Sequence, residues 1–176
     1  MKTLIVVLAV LVQILTFSTR ESIADTGFEK FYGHYVGSSI NEVPNRGIDV
    51  VIKPHQSGFN VTWTTTEFRA ANKIKESTFS INFNASRKAG VYGSAMKKDL
   101  FGHETPLNPL NGDPYVWAFI DGETMTVNSL LVSENGGYEI QTYERTLTGN
   151  GMSLVFSRVQ NGKVMKQIHG SMKKVK

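Results

Sequence analysis

The chain has 176 residues, of which 40% are hydrophobic and 19% are charged, and it contains no cysteine. The apolar fraction is too high and the charged fraction too low for a disordered chain, so one globular domain, alone or with a removable segment, is expected. The lack of cysteine excludes disulfides, thiolate metal sites and cysteine catalysis. The net charge of +4 is mild, and without a basic stripe interleaved with aromatic residues no nucleic-acid partner is expected.

The N-terminus has the pattern of a secretory signal peptide. Lys2 precedes a mostly apolar run over residues 4–17, which Gln13 interrupts, and the small residues Ser22 and Ala24 follow. The run is shorter than the roughly 20 residues that span a bilayer, which favours cleavage over a retained signal anchor. The sequence thus predicts a signal peptide over 1–24 cut after Ala24, a single domain over 25–176, no membrane span after cleavage, and a periplasmic or secreted location.

The remaining chain alternates with a period of two residues, as half-buried strands do. Phe59, Val61 and Trp63 alternate with polar residues, and turn signals such as Asp121-Gly122 recur at strand-length intervals. No helix of useful length is expected. The predicted strands cover residues 31–40, 48–54, 59–68, 74–84, 90–96, 115–120, 123–133, 137–147, 151–160 and 163–173.

Consecutive antiparallel strands leave exposed edges unless the sheet closes on itself. We therefore predict an all-β, up-and-down antiparallel barrel of about 8–10 strands, with a β-sandwich as the alternative. An outer-membrane barrel is disfavoured, because strands such as 137–147 and 163–173 carry charged side chains on a face that lipid would cover. The long irregular segment 97–114 is either a functional loop near the barrel mouth or a decorative insertion.

The first strand resembles the opening strand of calycin barrels, the group that includes lipocalins, fatty-acid-binding proteins and avidins. The stretch that carries this resemblance is Gly33-His34-Tyr35, which has Tyr where lipocalins have Trp. The resemblance implies that the Tyr35 ring closes one barrel end and that a late-strand arginine, Arg158 by position, stacks on it. The chain also resembles a family of exported bacterial proteins of unassigned function, through residues 31–37, 59–65 and 136–147.

The sequence contains no nucleophile elbow, phosphate loop or dinucleotide fingerprint. The four histidines, His34, His55, His103 and His169, lack the spacing of a metal site. The sequence therefore predicts no catalytic residue, no metal and no cofactor. It favours a binding protein over an enzyme. Oligomeric state is left open.

Arg145 is the residue that sequence singles out. In the strand 137–147, Arg145 and Tyr143 share a face with Glu139 and Gln141, while the opposite face carries Glu144. One of these charged faces must point into the barrel, where a charge needs a partner or a ligand. An outward or end-capping Arg145 is the alternative, since arginine is rarely buried.

The function expected from the sequence is binding of a small hydrophobic or amphipathic ligand inside the barrel. Trp63, Tyr143 and Arg145 are the predicted wall and polar anchor of that site. Two alternatives stay open: a filled barrel that acts as an envelope protein-interaction module, and a barrel enzyme of unknown class.

Overall fold

The alternating segments form ten strands that close into one barrel in the computed structural model of the chain. The structure describes residues 27–69, 73–94, 97–98, 104–105 and 107–175. A further short hairpin lies within the long connection between the fifth and sixth barrel strands. In chain order the strands are β1 (Gly33–Ser39), β2 (Gly47–His55), β3 (Gly58–Phe68), β4 (Ile74–Ala85), β5 (Val91–Ser94), β6 (Lys97–Lys98), β7 (Glu104–Thr105), β8 (Tyr115–Asp121), β9 (Thr124–Val132), β10 (Tyr138–Thr148), β11 (Gly151–Gln160) and β12 (Lys163–Val175).

The barrel is antiparallel and up-and-down, with neighbours in the order β1-β12-β11-β10-β9-β8-β5-β4-β3-β2. The first and last strands pair with each other, Tyr35 lying opposite Lys174, so the sheet has no free end. This confirms the predicted all-β barrel, and the alternative sandwich was wrong. The observed strands follow the predicted ones closely, but β12 reaches Val175 because its last residues pair with β1.

The barrel wall has short strand pairing on both sides of β5. Phe83–Ala85 of β4 pair with β5, and Val91–Gly93 of β5 pair with β8, which makes three paired positions on each side of β5 in the part of the chain that the structure describes. Among the described residues, no strand pairs with Ile74–Asn82 of β4 on the side that faces β8. In the segment 97–114, the hairpin β6–β7 and a 3-10 turn at Pro109–Asn111 are seen, and most of the rest lies outside the described residues.

One end of the barrel is filled with aromatic rings. A 3-10 turn at Glu29–Phe31 precedes β1 and places Phe28 and Phe31 in the core. The Phe28 ring centroid lies 5.4 Å from that of Phe59, which stacks at 5.1 Å on Phe83. Phe31, Phe59 and Phe83 are each 0% exposed. We call this half of the barrel the closed end.

Tyr35 belongs to the closed end, as the calycin resemblance implies, but the cation beside it is not Arg158. The Tyr35 hydroxyl donates to the Phe31 carbonyl at 2.9 Å, and Lys174 Nζ lies 5.5 Å from the Tyr35 ring centroid. A Cβ on Gly33 would come within 2.4 Å of Lys174 Cε, so glycine leaves room for this lysine. Arg158 lies towards the opposite end of the barrel and binds Glu139, so its predicted stacking was wrong.

The predicted signal peptide and the cut after Ala24 lie outside the described residues. Within the part of the chain that is described, no helix is long and apolar enough to cross a bilayer.

Candidate functional site

Two rings meet across the inside of the barrel. Trp63 projects inward from β3 and Tyr143 from β10, strands that stand on opposite sides of the ten-strand ring. Their ring centroids are 5.4 Å apart. This aromatic bridge divides the half of the interior opposite the closed end into two chambers.

Chamber 1 has a volume of about 210 Å³. Its walls come mainly from β2, β3, β10 and β11, and it contains aliphatic side chains, aromatic rings and charges together. The lining residues are Arg46, Ile48, Val50, Trp63, Thr65, Glu67, Ser77, Phe79, Tyr143, Arg145, Leu154, Phe156 and Ile168.

Chamber 2 lies on the other side of the bridge, against β8 and β9, and has a volume of about 240 Å³. Its lining is nearly all apolar. The residues are Trp63, Phe79, Ile81, Pro114, Val116, Val127, Ser129, Leu131, Gln141 and Tyr143.

Arg145 is a buried charge at the wall of chamber 1. It is 1% exposed, and its register partners Leu154 and Met125 are apolar. Its Nε and Nη1 are buried and make no hydrogen bond to any described residue. A buried guanidinium is normally paired with a carboxylate or with carbonyl oxygens, so these unsatisfied donors call for a physical reason.

Aromatic faces partly replace the water that Arg145 has lost. The Arg145 Cζ atom lies 5.7 Å from the Trp63 ring centroid and 5.3 Å from that of Tyr143, within the range of cation–π attraction. Burial lowers the pKa of Arg145 to about 10. Because this value is still about three units above neutrality, the guanidinium carries its full charge at pH 7.

A chain of hydrogen bonds fixes the Tyr143 ring. Its hydroxyl donates to Gln141 Oε1 at 3.1 Å, Gln141 Nε2 donates to Glu139 at 2.7 Å, and Arg158 Nε donates to Glu139 at 2.8 Å. Burial raises the pKa of Tyr143, so its hydroxyl is neutral and can donate this bond. These bonds run along β10 and β11 away from Arg145. They hold the Tyr143 ring with one face against the Arg145 guanidinium.

A network of ion pairs lies beside chamber 1, and two of its members, Arg46 and Glu67, line the chamber. Arg46 Nη1 lies 2.7 Å from Glu67, and Arg46 Nε lies 3.3 Å from Glu42. Glu42 also binds Lys166 at 3.0 Å, and Glu67 binds Arg69 at 3.3 Å. Burial by itself would raise the pKa of Glu67, but the charges of Arg46 and Arg69 hold it below its ordinary value.

The structure brings together the three residues predicted from the sequence. Trp63, Tyr143 and Arg145 are in mutual contact and all three line chamber 1. The face of β10 that points inward is the one with Arg145, so the outward alternative was wrong. Phe79, which the sequence does not single out, also lines chamber 1, and it lies opposite Trp63 in the pairing of β3 with β4.

The histidines do not assemble a metal site in the described residues, where no cluster of three ligand-type side chains occurs. His34 instead pairs with Asp49 at 2.9 Å on the outside of the barrel. His103 lies outside the described residues.

Comparison with models of protein families and with curated proteins gives no match to this chain. The fold and the interior define the protein only by its architecture. It is a closed, antiparallel β-barrel of ten strands with one filled end and two interior chambers.

Proposed function

We propose that the protein binds a small organic anion with a compact apolar body in chamber 1. The observation that carries this proposal is Arg145, a fully buried guanidinium whose Nε and Nη1 have no hydrogen-bond partner among the described residues. It lines a cavity that also offers Leu154 and Ile168 to an apolar group.

The unsatisfied donors of Arg145 favour an anionic ligand. Leaving a buried donor unsatisfied costs about 1–3 kcal/mol, and more when the group is charged. A carboxylate or similar anion in chamber 1 would restore these hydrogen bonds in surroundings of low dielectric constant, where a charge-assisted bond is strong. The cost of burying Arg145 is then recovered on binding.

The size of chamber 1 limits the ligand. A volume of about 210 Å³ falls below the roughly 300–1,000 Å³ of sites that enclose drug-sized molecules. We therefore assign to it a ligand of one ring or a short branched chain.

The pKa shifts favour binding over acid–base chemistry. A general acid or base works best with a pKa near the operating pH. In and beside chamber 1, the pKa of Tyr143 is raised, that of Arg145 is about 10, and that of Glu67 is lowered. These shifts fix the charges at neutral pH. The proposed setting is outside the cytoplasm, a proposal that the signal-like sequence over 1–24 supports.

Isothermal titration with benzoate tests the proposal. Benzoate combines one carboxylate with one ring, so it matches the chemistry assigned to chamber 1. We expect saturable 1:1 binding, and a loss of about 10–100-fold in affinity in Arg145→Met, because a charged hydrogen bond contributes roughly 1.5–3 kcal/mol. Arg145→Met keeps a long apolar side chain at the site and removes the charge.

Arg69→Met is the matched control. Arg69 carries the same charge at the same end of the barrel, but it is 54% exposed and its partner Glu67 keeps Arg46. We expect Arg69→Met to change the benzoate affinity by less than about two-fold, because exposed ion pairs contribute little. Equal losses in both variants, or benzoate affinity unchanged in Arg145→Met, would remove Arg145 from the site.

A further inference from the structure

Chamber 2 differs from chamber 1 in having no charge on its walls. Eight of its lining residues are apolar or aromatic, and the two with polar side chains are Ser129 and Gln141. The Gln141 amide is already used, since it donates to Glu139 and accepts from Tyr143. The chamber therefore offers a ligand apolar surface and almost nothing to hold an ion.

Apolar side chains in chamber 2 stay exposed although they point inward. Phe79 and Leu131 face the interior by register, yet they are 54% and 36% exposed. Phe83, on the same face of β4 as Phe79, is 0% exposed at the closed end. Because apolar area left in water costs about 25 cal/mol per Å², covering these side chains with an apolar molecule is favourable.

The two chambers share the bridge but not their main walls. Chamber 1 is completed by Ile48 and Val50 of β2 and by Leu154 of β11, whereas chamber 2 is completed by Val116 of β8 and Val127 of β9. The Trp63 and Tyr143 rings stand between them at 5.4 Å, and Trp63 stacks on Phe79 at 5.3 Å. This spacing leaves no room for a third ring between Trp63 and Tyr143.

We propose that chamber 2 is a second binding site, for a neutral apolar molecule of one ring or two fused rings, and that it can be occupied while an anion fills chamber 1. The inference goes beyond the proposed anion site, because it depends on the walls of chamber 2 and not on Arg145.

Fluorescence titration with 1-naphthylamine tests this second site. The dye has two fused rings and is neutral at pH 7, and its emission shifts to shorter wavelength in apolar surroundings. We expect saturable 1:1 binding, and a dissociation constant that changes by less than about three-fold when benzoate is present at saturation. Competitive displacement of the dye by benzoate would overturn the inference, because both ligands would then share one site.

A pair of filling variants assigns each ligand to its chamber. Ser129→Phe places a ring in chamber 2, and Thr65→Phe places one in chamber 1. Ser129→Phe should weaken dye binding at least ten-fold and leave benzoate affinity within about three-fold, while Thr65→Phe should do the reverse. Thermal unfolding shows whether each variant has folded, and the smaller Ser129→Leu and Thr65→Leu replace any variant that has not.

The outcomes separate the two proposals. Dye binding without benzoate binding would leave the second site standing and remove the proposed anion function. Failure of the wild-type protein to bind the dye, or dye binding that Ser129→Phe leaves unchanged, would overturn the second site whatever benzoate does.

Discussion

The closed end and the chambered half of this barrel are built from the same strands and the same kinds of residue, yet only one is filled. At the closed end, Phe59 and Phe83 are completely buried, and Phe28 and Phe31 enter from the N-terminal turn to complete the packing. In the other half, Phe79 lies on the same face of β4 but remains half exposed. The comparison shows that the alternation along each strand determines which side chains point inward. Whether the interior is fully packed depends on side chains from outside the strands, here Phe28 and Phe31.

Phe83→Ala should give the largest change in stability and so sharpen this comparison. Removing a fully buried ring from a packed core costs about 3–5 kcal/mol, from lost transfer free energy and from the cavity that remains. Phe79→Ala removes the same ring from the same face of β4, but the ring is 54% exposed, so we expect a loss below about 2 kcal/mol. Urea unfolding of both variants measures the difference.

For each variant, a shift in the urea midpoint measures the change in stability, provided that the slope of the free energy of unfolding against urea concentration stays the same. Equal losses in Phe83→Ala and Phe79→Ala would contradict the distinction between a filled and an open half. It would mean that the interior near Phe79 is as well packed as the closed end.

Arg145→Met should raise the stability of the empty protein, which is the opposite of what replacing a well-paired arginine would do. Met keeps most of the apolar contacts and removes an unsatisfied buried charge. Even buried ion pairs, when apolar residues replace them, often give neutral changes or gains of about 1–4 kcal/mol in other proteins. Lost attraction to the Trp63 and Tyr143 rings offsets part of this gain, so we expect about 1–2 kcal/mol. A higher thermal midpoint together with lost benzoate binding would show that stability has been given up for function. A lower midpoint would show that Arg145 is structural.

Most of the fold was predictable, because the period of two residues and the turns at Asp121-Gly122 and similar positions are local signals. Closure of the barrel was harder to predict, because the pairing of β1 with β12 joins residues far apart in the sequence, such as Tyr35 and Lys174. The error over Arg158 has the same origin. A position near the end of the chain can lie at either end of a barrel, and only the register shows that Arg158 belongs opposite Gln141.

The candidate site was predictable only in part. Alternation groups Tyr143 with Arg145, but both faces of β10 carry charge, so the pattern alone does not tell which face points inward. In the structure, Arg145 lies opposite Leu154, and Tyr143 lies opposite Phe156 and Val127. These apolar partners on β11 and β9 require the Arg145 face to be the inner one. The division into two chambers depends on the contact between the Trp63 and Tyr143 rings across the barrel. Local sequence patterns cannot predict a contact between strands that are so far apart in the chain.

Acid should give the smallest of these effects, and it should act on the chambered half. The pKa values of Glu42, Glu67 and Glu139 are all lowered in the folded protein, where burial alone would raise them and neighbouring cations and hydrogen-bond donors prevail. A carboxyl with a lowered folded pKa stabilises the fold fully above its ordinary value near 4.5, and this contribution is lost as the pH falls through the lowered value. We therefore expect urea stability to be constant from pH 8 to 6 and to fall below about pH 4.5.

Glu67→Gln tests whether that loss of stability arises at the wall of chamber 1. The variant removes a titrating group that binds both Arg46 and Arg69, so its stability at neutral pH should fall by less than about 1 kcal/mol, as for other partly exposed ion pairs. Its stability should also fall less steeply than that of the wild type between pH 4.5 and 3. Glu123→Gln is the matched control, because Glu123 pairs with Lys30 near the closed end and its side chain is 62% exposed. If Glu123→Gln flattened the acid profile as much as Glu67→Gln, the acid-sensitive pairs would not be confined to the chambered half, and the electrostatic part of the contrast between the two ends would fail.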